Sequence, residues 1–133
     1  MEELALRGAA HRLVAELFAR LDRADVEGMV ELYAEDATLE GAEGKDAIRQ
    51  AIRDSSGAVR GTPTAHVLSN VRATVIDDRV VVDYTVVGYV LEGPGPYAAN
   101  VILNQRQVHS QSSDGSLRIV EHRVEGYDLN KGV

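Results

Sequence analysis

From Leu4 to Leu21 apolar side chains recur at Ala10, Leu13, Val14, Leu17, Phe18 and Leu21, while Arg12, Glu16, Arg20 and Arg23 fall on the other side. Spacing of three and four predicts an amphipathic helix. Asp25 is placed to cap a second short helix running through Tyr33, which would bury Val26, Met29, Val30, Leu32 and Tyr33 despite the internal Gly28. Ala37 to Glu40 reads as a short strand, and Lys45 to Arg53 as a third helix with Ala47, Ile48, Ala51 and Ile52 inward. Ser55 to Pro63 is a loop by composition. Beyond it the period drops to two. Four long strands are predicted over Ala65–Ile76, Arg79–Leu91, Tyr97–Ser110 and Leu117–Tyr127, joined at Asp77-Asp78, Gly93-Pro94-Gly95-Pro96 and Ser112-Ser113-Asp114-Gly115.

Helices first and an antiparallel meander afterwards predict an α+β domain. A curved, mostly antiparallel sheet of about six strands would wrap the three N-terminal helices and leave an apolar cavity between the layers. The length, 133 residues with 44% hydrophobic content, fits one domain over 1–133 with a core of its own. A formal charge of -7 argues against the basic surface that a nucleic acid requires, so none is expected as a partner. No run approaches ~20 apolar residues and Met1-Glu2-Glu3-Leu4 does not open like a signal peptide, which predicts a cytoplasmic protein that does not enter a membrane. Without cysteine there is no disulfide framework, thiolate chemistry or cysteine-bound zinc. The 12 arginines against 2 lysines, with the Ala/Val/Gly bias, point to a GC-rich bacterial genome.

Two residues carry the candidate chemistry. Asp22 ends the first helix and His66 opens the first long strand, in Thr64-Ala65-His66-Val67-Leu68-Ser69-Asn70. A carboxylate that fixes one imidazole nitrogen leaves the other free to move protons, provided the fold brings the two together. The bland alternatives are a strand histidine bonded to backbone and an acid that merely ends a helix, where the dipole disfavours it. His11 shares a stripe with Val14, Phe18 and Asp22 but reads as solvated. His109 and His122 have no metal-ligand spacing relative to His66, so no metal is expected. Tyr33, Tyr84 and Tyr89 read as core or rim residues, any of which could polarise a carbonyl with its hydroxyl in the cavity. Asn100, Ile102, Asn104, Arg106 and Val108 share one face of the third long strand, and Glu92-Gly93-Pro94-Gly95-Pro96 is a stiff turn at the cavity mouth.

The run from Leu21-Asp22-Arg23-Ala24-Asp25 through Leu32-Tyr33-Ala34-Glu35-Asp36-Ala37-Thr38-Leu39 resembles the opening of the SnoaL-like proteins of the nuclear transport factor 2-like superfamily. The strand around His66 resembles the one that carries a functional histidine in the scytalone dehydratase-like branch. The resemblance implies a cone-shaped α+β barrel. That fold hosts dehydratases, isomerases, epoxide hydrolases, cyclases and non-catalytic binders, so it implies architecture more than activity. The ketosteroid isomerase carboxylate would fall at Gly41 and its helix tyrosine at Leu17. The limonene epoxide hydrolases carry an Arg-x-Asp on one strand, and no predicted strand here has that triplet. Scytalone dehydratases and the related dehydrochlorinase instead have an aspartate and a histidine where this chain has Asp22 and His66, the histidine removing a proton while the aspartate orients it. The chain departs from the dehydratase at Leu21, which replaces a tyrosine, and in its second long strand, which offers Tyr84 and Tyr89 rather than histidine. The dehydratase's substrate-binding asparagine maps near Asn104.

The resulting expectation is a cofactor-independent lyase or isomerase in which a His66-Asp22 dyad abstracts a proton from a small apolar or weakly polar molecule, polyketide-, steroid- or aromatic-like. Asn104, Tyr33, Tyr84, Phe18 and Leu17 would bind it. A non-catalytic ligand-binding or assembly domain and a polyketide cyclase are the alternatives. Valines and leucines left on the outer face of the sheet predict a homodimer.

Overall fold

The computed structural model describes residues 2–128. In chain order the elements are α1 (Glu3–Asp22), α2 (Val26–Val30), β1 (Tyr33–Leu39), β2 (Ala42–Glu43), α3 (Gly44–Ser55), β3 (Thr64–Ile76), β4 (Arg79–Val90), β5 (Ala99–Gln111) and β6 (Leu117–Asp128). The six strands form one curved, unclosed sheet in the order β2-β1-β6-β5-β4-β3, with only the β1–β6 pair parallel. The helices pack on its inner face, which makes the α+β arrangement the pattern of the sequence required.

The apolar stripe of α1 is buried at Leu6, Ala10, Leu13, Val14, Leu17 and Phe18. Asp25 caps α2 by accepting from the Gly28 amide at 2.9 Å, but α2 ends at Val30 rather than Tyr33. The reason is competition from the sheet: the Leu32 carbonyl accepts the Ile119 amide at 2.8 Å, which draws Tyr33 into β1. Glu40 lies just past β1 at φ 52, its amide still bonded to the His122 carbonyl at 2.9 Å. The two-residue β2 was not anticipated. Tyr97 stands outside β5, 40% exposed, donating its hydroxyl to the Gly93 carbonyl at 2.6 Å.

Register shifts decide which side chains face the helices, and one in β6, where Val120 is extra between Ile119 and Glu121, turns His122 inward. In β3, Asn70 and Val71 oppose the single Tyr84, with Asn70 at φ 54, so the inward set passes from even positions to odd ones. In β5, Asn100 is the extra residue between Ala99 and Val101. The inner face of β4 is fully buried at Val80, Val82 and Val86, with Tyr84 3% exposed. The outer face carries two apolar rows, Val67-Val87-Ile102 and Thr74-Val81-Val108, on either side of a polar centre. There Arg106 pairs with Asp83 at 2.7 Å. No helix among the described residues is long and apolar enough to cross a membrane.

Candidate active site

Asp22 and His66 meet where the end of α1 crosses the start of β3. The Asp22 carboxylate accepts three bonds: from His66 Nδ1 at 2.6 Å, from the Thr64 hydroxyl at 2.9 Å and from the His66 amide at 3.0 Å. The first two land on Oδ1 and the third on Oδ2. A carboxylate only accepts, so Nδ1 carries a proton, and in the neutral ring the lone pair is on Nε2. The pair is screened from water, its side chains only 15% and 24% exposed.

Packing aims the free nitrogen. The Phe18 ring lies against the imidazole with centroids 5.5 Å apart, fixing its plane. Gly88, the β4 partner of His66, leaves space beside Nε2 that any side chain would occupy. That space opens into a cavity of about 660 Å³ between the sheet, α1, α3 and the 56–62 loop. Leu17, Phe18, Met29, Ile52 and Leu103 supply apolar wall, and Arg60 and Glu40 also line it. The volume suits a small organic molecule.

A second polar group borders the same cavity. Tyr33, Gln105 and His122 line it, and all three are buried, at 1%, 8% and 5% exposure. Tyr33 Oη lies 2.8 Å from His122 Nδ1, and His122 Nε2 lies 2.7 Å from Gln105 Oε1. The Tyr84 hydroxyl donates to the same oxygen at 2.5 Å. Burial holds His122 neutral by lowering its pKa to about 3, with repulsion from His109 adding to the effect. Burial likewise raises both phenols above their ordinary range, so Tyr33 and Tyr84 are hydrogen-bonding groups rather than bases.

The structure thus brings His66, Asp22, Leu17, Phe18 and Tyr33 to one place. Tyr84 lies behind the wall, its ring edge-on to Phe18 with centroids 5.9 Å apart. Asn104 is the clear correction. It lies on the outer face of β5, accepting from the Thr85 hydroxyl at 2.9 Å, and Gln105 takes the cavity-facing position. The expected face was wrong by one residue because the Asn100 bulge changes which residues point inward, so Asn100 itself lines the cavity while Ile102, Asn104 and Arg106 point away. Thr64, Gly88, Gln105 and His122 were not anticipated. One signal was present, since Gln105, Gln107 and His109 follow a period of two. His11 is exposed, and among the described residues no group of three or more His, Asp or Glu side chains is placed to hold a metal.

Comparison with known proteins agrees with this architecture. A family model described as a SnoaL-like domain matches residues 2–123. Among solved structures, Aln2 from a Streptomyces species superposes with a TM-score of 0.85 at 20% identity, covering 98% of this chain and 97% of that one. A protein from Catenulispora acidiphila, solved in complex with S-DNPA, gives 0.79 at 18% identity over 97% of both chains. A protein from Novosphingobium aromaticivorans, provisionally described as a scytalone dehydratase, gives 0.71 at 18% identity over 93% and 85%. At these identities the likeness shows the fold alone. No curated protein matches the chain.

Proposed function

The chain belongs to the SnoaL-like domain family, and on that premise we propose that it is a cofactor-independent lyase or isomerase acting on a small, largely apolar organic molecule. His66 is the general base, taking a proton through Nε2 from a carbon beside a carbonyl or a leaving group. The electron pair of the broken C–H bond forms a C=C bond. It either expels the leaving group or displaces the carbonyl electrons onto oxygen as an enolate. The imidazolium then returns its proton to the leaving group or to another carbon. Asp22 orients the ring and offsets the imidazolium charge, as an aspartate does for a catalytic histidine elsewhere.

One observation carries this reading: Nδ1 is committed to Asp22 at 2.6 Å while Nε2, beside Gly88, opens on the cavity. A free ring nitrogen facing ligand space, unlike the buried one of His109, is what proton transfer needs. We also assign a homodimer, formed through the apolar rows of the outer face.

The test is proton exchange, because it needs no knowledge of the natural leaving group. Apolar aryl ketones are incubated with the protein in D2O, and loss of the α-proton signal is followed by NMR. The expected result is exchange above background with wild type and none with His66→Ala. Exchange that survives in His66→Ala shows that the imidazole is not the base. Tight ketone binding without exchange moves the reading to a non-catalytic binding domain.

A further inference from the structure

Behind the cavity wall runs a chain of hydrogen bonds that the dyad does not use. His109 Nε2 lies 2.7 Å from Gln107 Oε1, Gln107 Nε2 donates to the Tyr84 hydroxyl at 2.8 Å, and that hydroxyl donates to Gln105 Oε1. From the other side Tyr33 Oη meets His122 Nδ1, and His122 Nε2 meets Gln105 Oε1. His109 Nδ1 is the one buried side-chain polar atom among the described residues without a partner.

That orphan bears on the direction of Gln107 and the Tyr33 hydroxyl on that of Gln105, and together they set the direction of the chain. If both amides are oriented as described, Gln107 Oε1 can only accept, so His109 carries its proton on Nε2 and the orphan Nδ1 is a lone pair. Gln105 Oε1 likewise only accepts, so His122 holds its proton on Nε2 and Nδ1 takes the Tyr33 hydroxyl proton. If both amides are turned over, every bond reverses. His109 would then bury an unpaired Nδ1–H, and His122 would donate from Nδ1 to Tyr33, whose hydroxyl proton loses its acceptor. The first arrangement leaves one orphan acceptor and the second leaves two orphan donors. Unpaired buried donors are the rarer and costlier case.

We propose that this converging chain fixes the Gln105 amide with its NH2 group turned to the cavity, as a preset donor for a carbonyl oxygen on the ligand. His122 and Tyr84 are positioning residues that act through Gln105 Oε1, and Gln107 and His109 hold Tyr84 in its role. Gln105 Nε2 has no partner among the described residues, and its residue lines the same cavity as His66. A ligand with its acidic C–H at His66 and its carbonyl at Gln105 would have the growing negative charge met by a donor that need not reorganise. Only that last consequence rests on the proposed reaction. The donor site itself stands as a binding site without it.

Two measurements on the intact chain test the proposal. Long-range 1H–15N NMR at pH 7 should find His109 and His122 both neutral with the proton on Nε2, and an Nδ1–H tautomer at either overturns the direction of the chain. Calorimetry with 2-acetylnaphthalene against 2-ethylnaphthalene should show roughly three- to tenfold tighter binding of the ketone. Gln105→Met should abolish that preference along with the downfield shift of the bound 13C carbonyl, and Tyr84→Phe should reduce both. Equal affinities for ketone and hydrocarbon in the wild type overturn the donor site. His66→Ala should keep the ketone preference, so failure of the dyad and failure of this site are separately visible.

Discussion

His66 and Gly88 face each other across β3 and β4, and a Cβ built on Gly88 would stand 3.5 Å from His66 Nε2 and 3.0 Å from Val101 Cγ2. The missing side chain is what keeps the lone pair accessible, since Nδ1 is already spent on Asp22. Gly88→Val should therefore cover His66 Nε2 from the sheet side while leaving the Nδ1–Asp22 bond on the far side of the ring. Diethyl pyrocarbonate, which modifies accessible neutral imidazole, gives a readout independent of substrate. Peptide mass spectrometry should show His66 carbethoxylation clearly slowed in Gly88→Val relative to wild type, with exposed His11 unaffected. Equal rates at His66 would mean that Gly88 does not gate the nitrogen.

Asp22→Asn tests orientation apart from charge density in the pocket. The amide offers one accepting oxygen where the carboxylate serves three donors on two. One partner must lose its acceptor, and the imidazole no longer has a reason to hold its proton on Nδ1. The expected outcome is an Nε2–H population seen by 15N NMR and a fall in proton-exchange rate of roughly 10²- to 10⁴-fold. The global fold should survive, at a cost of about 1–3 kcal/mol in a urea melt. An unchanged Nδ1–H tautomer in this variant would detach Asp22 from the chemistry.

How much of this was legible in the sequence follows from periodicity. The α1 stripe from Ala10 to Phe18 and the hairpin turn at Asp77-Asp78 announce themselves, because apolar spacing and turn residues agree. β5 does not, since it is polar on both faces: Asn104 and Arg106 outside, Gln105 and Gln107 inside. With no contrast between faces, alternation cannot say which set is inward, and the Asn100 bulge then shifts the start of the count. The buried group around His122 was hidden for a related reason. Its partners Tyr33, Tyr84 and Gln105 come from β1, β4 and β5, and only the pairing register assembles them. Asp22 and His66 were easier, each sitting at the end of a well-marked element.

The outer face makes a prediction about assembly. Val67 is 52% exposed and Ile76 53%, and both extend the apolar rows beyond the central Asp83–Arg106 pair. Two copies meeting sheet to sheet would cover the rows and keep the ion pairs at the middle of the contact. Light scattering at micromolar concentration should give twice the 14.4 kDa chain mass. Val67→Asp with Val87→Asp should return it to one, because carboxylates forced into an apolar contact go unpaired. A monomer mass for the wild type would remove the interface.

Stability against pH follows from the two buried histidines. Burial lowers the pKa of His109 to about 4, and burial together with the neighbouring His109 lowers that of His122 to about 3, against an ordinary 6.5. Above pH 6.5 neither binds a proton in either state and they contribute nothing to the pH dependence. Below 6.5 the unfolded chain takes up protons that the folded one refuses, so the unfolded state gains and stability falls with falling pH. The loss continues until the folded pKa values are reached, at up to about 1.4 kcal/mol per pH unit for each residue. Stability of a domain this size is about 5–15 kcal/mol, so urea midpoints should drop steeply between pH 6.5 and 4.5, before most carboxylates begin to titrate. His109→Gln should flatten that slope by about half within the same window, since its amide can still donate to Gln107 but has nothing to protonate. A urea midpoint independent of pH from 6.5 to 4.5 in the wild type would show that the folded state admits these protons without opposition.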